Sequence, residues 1–219
     1  MTFENLQVME NLSFQVEHNE IVAIIGPSGC GKTSLLNMVA GLQTPTTGTI
    51  EVSGEATSFI FQDDRLLPWR TVWDNIALVG QTDDKVAIQG LIDAVGLSGF
   101  EHYYPCQLSG GMQKRCGIAR AFYYNSQLLL MDEPFQGLDY CLRREMLQML
   151  LTVWETHRQS ILFVTHEIDE ALLVAHRILV LSKRPSTILE TFTLPPHNQR
   201  TLADPTLLAV RQKVIEAIT

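Results

Sequence analysis

A chain of 219 residues is long enough for one sizeable core, with or without a smaller subdomain, and too short for two complete large domains. With 46% apolar and 18% charged residues, and no apolar run approaching the ~20 residues that span a bilayer, the composition fits a packed soluble chain and excludes a membrane-spanning helix. A formal charge of −8 excludes broad binding to nucleic acid or anionic lipid, which needs basic patches, and leaves specific docking to a membrane protein open.

Met1-Thr2-Phe3-Glu4 carries neither a basic start nor an apolar segment behind it, so export is not expected. Ile21 to Ile25 reads as a buried strand, followed at once by the glycine-rich loop Gly26, Pro27, Ser28, Gly29, Cys30, Gly31, Lys32, Thr33 and by a helix over residues 33–41. Thr44 to Gly48 is turn chemistry, and Thr49 to Val52 and Ser58 to Phe61 read as short strands on either side of Gly54. From Leu66 to Tyr124 the pattern is mostly helical, broken at Gly80, Gly96, Gly99 and Pro105. Leu128 to Met131 and Ile161 to Val164 return as buried strands with a helix from about Arg143 to His157 between them, and alternation of this kind favours a parallel sheet covered on both faces. Asp204-Pro205 opens a last helix with Leu207, Val210, Val214, Ile215 and Ile218 on one face. Cys30, Cys106, Cys116 and Cys141 form no C-x-x-C pair and are expected as free thiols.

The loop at 26–33 fits G-x-x-x-x-G-K-[ST], in which glycines let main-chain N–H groups turn inward on phosphates at the positive end of a helix. Lys32 would reach the β- and γ-phosphates and the Thr33 hydroxyl would ligate Mg²⁺. Asp132 and Glu133 stand at the end of a buried apolar strand, where ligands of α/β folds gather. They read either as a Mg²⁺ partner (Asp132) and a general base for water (Glu133), or as caps of a following helix. Ser109, Gly110 and Gly111 open a helical segment, as an ordinary cap or as a second anion site. Leu66, Leu67, Pro68 and Trp69 offer an aliphatic and aromatic anchor for a partner helix, unless they pack within the helical part.

These motifs, together with Gln62, Gly137-Leu138-Asp139 and His166, occur in the order and spacing of ATP-binding cassette ATPases, and the chain resembles that family over almost its whole length. The resemblance implies an α/β fold with a P-loop NTPase (RecA-like) core, a small antiparallel β subdomain and an inserted α-helical subdomain. Residues 1–65 and 125–219 would form the catalytic lobe and residues 66–124 the helical one. It also implies ATP and Mg²⁺ as cofactors, and a head-to-tail homodimer in which Ser109, Gly110 and Gly111 of one copy face the γ-phosphate held by Lys32 of the other. Gln62 resembles the glutamine that senses Mg²⁺ and the γ-phosphate, His166 the histidine that contacts the γ-phosphate, and Asp139 the acid at the dimer interface. Gly137-Leu138-Asp139 departs from the family's commoner serine-alanine-leucine-aspartate run. Phe3 stands where the family places an aromatic on adenine, with core packing the alternative.

The segment from Gln62 to Asn75, Met112, Glu167 to Ala171 and Leu181 to Pro185 look like those of importers for nitrate, sulfonates, taurine and related small compounds. The function so implied is ATP hydrolysis that energises import through a separate membrane permease, contacted around Leu66 to Trp69 and served by a solute-binding protein. The chain would be cytoplasmic, held on the inner face of the membrane through the permease, with no nucleic-acid partner. Two rivals remain. A non-transport cassette of DNA repair or ribosomes would carry long coiled-coil insertions or a second cassette, and a non-hydrolysing module would not need Lys32, Asp132, Glu133 and His166 together.

Overall fold

A computed structural model describes residues 2–3, 6–54, 57–80, 82, 84–197 and 200–218, the side chains of residues 2, 3 and 6 excepted. Two short strands come first, β1 (Thr2–Phe3) and β2 (Leu6–Gln7), paired antiparallel with Thr2 opposite Gln7. In β3 (Ile21–Ile25) five consecutive apolar residues leave no face for water, and all five are buried, as a central parallel strand requires. The glycine loop leads into α1 (Lys32–Val39), followed by β4 (Thr57–Ile60), α2 (Val72–Ala77), α3 (Lys85–Ala94) and α4 (Gly110–Tyr123). The remainder runs β5 (Leu128–Asp132), α5 (Tyr140–His157), β6 (Ser160–Thr165), α6 (Ile168–Val174), β7 (Arg177–Leu181), β8 (Ile188–Thr193) and α7 (Pro205–Ile218).

The chain divides into two compact units. The first comprises Met1–Ser53, Leu130–Glu133 and Ser160–Thr219. Its strands stand in the order β5, β6, β3, β7, β8, with β3 parallel to both β6 and β7 and with β8 closing antiparallel to β7. Ile25 faces Thr165 on one side and Val180 on the other. Helices α1 and α6 pack against β6, α6 also against β3, and α7 lies on α6, β7 and β8 through the buried Leu207 and Val214. The Asp204 carboxylate accepts from the Thr206 N–H at 2.7 Å, the cap expected before Pro205.

The second unit comprises Gly54–Leu129 and Pro134–Gln159. Helices α2, α3 and α5 each pack on α4, burying Val72, Ile76, Ile88, Ile92, Phe122 and Met146 among others. This unit is wider than the helical segment read at 66–124, because α5 packs on α3 and α4 and β4 packs on α4. Residues 49–52 are not a strand: Thr49, Ile50 and Glu51 are exposed, so alternation there has no face to bury and no ladder to join. The four cysteines are free; Cys30 and Cys116 are buried, and burial pushes the Cys116 thiol up to about 12.

Two local devices fix the backbone where sequence spacing alone does not. Asn75 is fully buried; its Oδ1 accepts from the Leu67 N–H at 2.8 Å and its Nδ2 donates to the carbonyls of Leu67, Arg70 and Thr71 at 3.2, 3.0 and 2.9 Å. One amide therefore holds the whole turn at 67–71, on which the exposed Trp69 rides. Gly31 has φ +108°, and a Cβ there would lie 2.7 Å from both Val8 Cγ1 and Met9 Cε, so neither its conformation nor its surroundings admit a side chain. Asn75→Ala leaves several buried main-chain groups unpaired and is expected to cost about 2–4 kcal/mol in chemical unfolding. Gly31→Ala is expected to cost at least about 2 kcal/mol in the same measurement, from the left-handed backbone and the two contacts combined.

Candidate functional site

Within the first unit, the loop between β3 and α1 leaves the sheet at Gly26. Lys32 opens α1 with its side chain almost buried, and its Nζ donates to the carbonyls of Gly26 at 2.7 Å and Pro27 at 3.2 Å. The ammonium is thereby folded back onto two main-chain carbonyls of the loop. Gly29 and Gly31 both hold positive φ, and the Cys30 N–H reaches the Pro27 carbonyl at 3.2 Å. A Cβ at Gly26 would stand 3.0 Å from Cys30 Sγ and from Leu181 Cβ, so the buried thiol fills the space under the loop.

The acids arrive on β5. Asp132 is nearly buried and its Oδ1 accepts from the Thr33 hydroxyl at 3.2 Å. Burial pushes the Asp132 carboxyl above the usual carboxylate range, the Thr33 bond and the Lys32 charge oppose this, and the Glu133 charge adds to it. Glu133 sits at φ +45° with its N–H bound to the Val164 carbonyl at 3.0 Å, a left-handed residue at the very end of a strand. Such outliers gather at functional sites. Its Oε2 accepts from His166 Nδ1 at 3.0 Å, while His166 Nε2 lies 3.9 Å from Glu167 Oε1.

His166 is held by residues that sequence reasoning missed. The Thr165 hydroxyl donates to the buried Glu170 carboxylate at 2.7 Å and accepts from the Glu167 N–H at 3.0 Å. The strand end and the first turn of α6 are thus joined on both sides of the histidine. A polar residue at a strand end followed by an acid five residues later was the available signal.

The other expected site residues belong to the second unit. Gln62 is exposed, and its Nε2 donates to Gln136 Oε1, a partner that no motif pointed to. Arg120 donates to the carbonyls of Asp64 and Arg65 at 3.1 and 3.0 Å, and Lys114 lies 3.5 Å from the Asp64 carboxylate. These two cations of α4 pin the turn that follows Gln62. Burial pushes the Asp64 carboxyl above its ordinary range against the pull of Lys114. Ser109 caps α4, accepting from the Met112 N–H at 3.3 Å, with Ser109 and Gly110 exposed. A Cβ at Gly111 would meet Leu142 at 2.9 Å, so that glycine allows close packing of α4 on α5. Asp139 caps α5, accepting from the Leu142 N–H at 3.0 Å. A cleft of about 650 Å³ opens in this unit beside Gln62, Asp63, Leu66, Pro68, Gln113 and Gln136. Leu66 and Leu67 are half-buried, while Pro68 and Trp69 are exposed. The side chain of Phe3 lies outside the described residues.

The geometry gathers Lys32, Thr33, Asp132, Glu133 and His166 in one unit: an ammonium folded onto the glycine loop, a hydroxyl bonded to a carboxylate, and a second carboxylate bonded to an imidazole. Among the described residues no group of three or more His, Cys, Asp or Glu could hold a metal ion on its own, and no helix is long and apolar enough to cross a membrane.

Comparison with known proteins agrees with this chemistry. The family model described as ABC transporter matches residues 9–136. An aliphatic sulfonates import ATP-binding protein, SsuB of Bacillus cereus, is 39% identical, the match covering 96% of this chain and 88% of that protein. The taurine import ATP-binding protein TauB of Yersinia pestis bv. Antiqua (strain Antiqua) is 40% identical over 88% of this chain and 80% of that protein. Among solved structures, a dimeric post-hydrolysis state of the ATP-binding cassette MJ0796 bound to ADP and Pi superposes with a TM-score of 0.75 at 27% identity, covering 90% of this chain and 94% of that one. The chain belongs to the ABC transporter family of ATP-binding cassettes.

Proposed function

We propose that this chain binds and hydrolyses ATP to energise import of a small solute, of the sulfonate or taurine kind, through a separate membrane permease. The observation that carries the reading is the bond between Glu133 and His166 beside the paired Thr33 and Asp132, all four in one compact unit. Its near full-length likeness to import ATP-binding proteins supports the transport assignment. A cassette that only binds nucleotide would have no use for that pair.

In the proposed reaction the loop at 26–33 takes the phosphates, its N–H groups and Lys32 carrying their charge. Thr33 and Asp132 offer two adjacent hard oxygen donors, which suits Mg²⁺, with Gln62 the further ligand implied by resemblance. When bound, the ion would neutralise charge developing on the phosphates. Glu133 accepts a proton as water forms its bond to the γ-phosphorus, and the bond from that phosphorus to the bridging oxygen breaks to release ADP. His166 donates to Glu133 through Nδ1 and so orients the base, and its Nε2, 3.9 Å from Glu167 Oε1, is the nitrogen that would face the γ-phosphate.

Ser109, Gly110 and Gly111 complete the site of a second copy in this reading, with Asp139 at the same dimer contact. Residues 1–65 and 125–219 act as the catalytic lobe and 66–124 as the helical one. The exposed Pro68 and Trp69, with Leu66 and Leu67 behind them, form the face offered to the permease, beside the cleft at Gln62. The chain is then cytoplasmic and peripheral on the inner face of the membrane, with a solute-binding protein as an indirect partner. Glu133→Gln is expected to lower kcat about 100-fold or more while ATP affinity stays within about twofold. Turnover at the unmodified rate would remove Glu133 from its role, and failure of the chain to co-purify with any membrane permease would end the transport reading.

A further inference from the structure

The outer side of the phosphate loop is gripped by the turn between β7 and β8, residues 182–187, which plays no part in the reaction described above. Ser186 is fully buried and its hydroxyl donates to the Cys30 carbonyl at 2.5 Å. Arg184, exposed, donates from Nε to the Gly29 carbonyl. The turn is itself closed: the Ser182 N–H donates to the Thr187 carbonyl at 3.0 Å and the Thr187 N–H to Ser182 Oγ at 2.9 Å. It is also fastened to the chain before β3, since the Ser186 N–H donates to the Val8 carbonyl at 2.9 Å and the Ser186 carbonyl accepts from the Glu10 N–H at 3.0 Å. Val8 and Met9 in turn press on the face of Gly31.

In a trans peptide the carbonyl and the N–H of the next residue point in opposite directions. A donor that holds the Cys30 carbonyl on the outside of the loop therefore turns the Gly31 N–H to the inside. The same relation turns the Cys30 N–H away from the Gly29 carbonyl held by Arg184, and on that side it donates to the Pro27 carbonyl within the loop. Inward N–H groups are what a phosphate loop presents to its ligand, and a concave set of them is costly to hold without partners for the carbonyls outside.

We infer that the β7–β8 turn is an outer strap on the phosphate loop, in which Ser186 and Arg184 are positioning residues that keep its N–H groups aimed at the phosphates of bound ATP. They touch no phosphate themselves. The inference rests on reading residues 26–33 as an ATP-binding loop, and is independent of transport.

The test is equilibrium ATP binding to the full chain, with kcat at saturating ATP and the unfolding temperature measured beside it. Ser186→Ala is expected to raise the Kd for ATP about tenfold, and Arg184→Ala about threefold to fivefold, as loss of one preorganising bond each. Arg184→Lys, which keeps a donor and a charge, should recover most of the loss. In all three kcat at saturation stays within about twofold, a split that general loosening of the fold would not produce, and the exposed Arg184 variants keep the parent unfolding temperature. Unchanged Kd in both alanine variants overturns the strap; if Ser186→Ala does not fold, unchanged Kd in Arg184→Ala alone overturns it. Lys32→Ala separates the two levels: if the parent chain binds no ATP, or binds it equally well without Lys32, the phosphate-loop reading falls rather than the strap.

Discussion

The site depends on one register. Ile25 pairs with Thr165, so the loop that starts at Gly26 and the histidine at 166 leave the sheet at the same level. The Glu133 N–H bound to the Val164 carbonyl brings the end of β5 to that level as well. A slip of one residue in the β3–β6 pairing would reverse every side chain and carry Thr165 off the site. In the observed register Ile21, Ile24, Ile161 and Val164 are all buried. The core packing of these apolar residues is thus what sets the distance between a base and a phosphate loop.

Electrostatics then works within that frame. Lys32 and Asp132 are both largely withdrawn from water, which is costly for each charge, and each has local compensation: the Gly26 and Pro27 carbonyls for the ammonium, the Thr33 hydroxyl for the carboxylate. The remaining upward push on Asp132 comes first from its burial and then from the neighbouring Glu133 charge.

Much of this could be read in the sequence because it is local. The loop at 26–33, the acids ending a run of leucines and the serine-glycine-glycine helix start each carry their chemistry within a few consecutive residues, and each sits on the element it was assigned to. What could not be read is long-range and made by side chains onto main chain. Ser186 meets Cys30 across 156 positions of chain, and Arg120 reaches Arg65 across 55. No periodicity announces either pair. Asn75 falls between: its partners lie within eight residues, yet a buried asparagine looks in sequence like any polar residue of an amphipathic helix. Residues 49–52 failed the other way, since alternation is only a strand signal where a neighbouring edge exists.

The distribution of function over the two compact units has a further consequence. Lys32, Thr33, Asp132, Glu133 and His166 lie in the first unit, whereas Gln62, the Ser109 helix start, Asp139 and the Trp69 turn lie in the second. Leu130–Glu133 is a four-residue piece of the first unit whose chain enters from and returns to the second at both ends. Both acids therefore stand on the covalent connection between the units, and Glu133, with its left-handed backbone, is the last residue before the chain crosses.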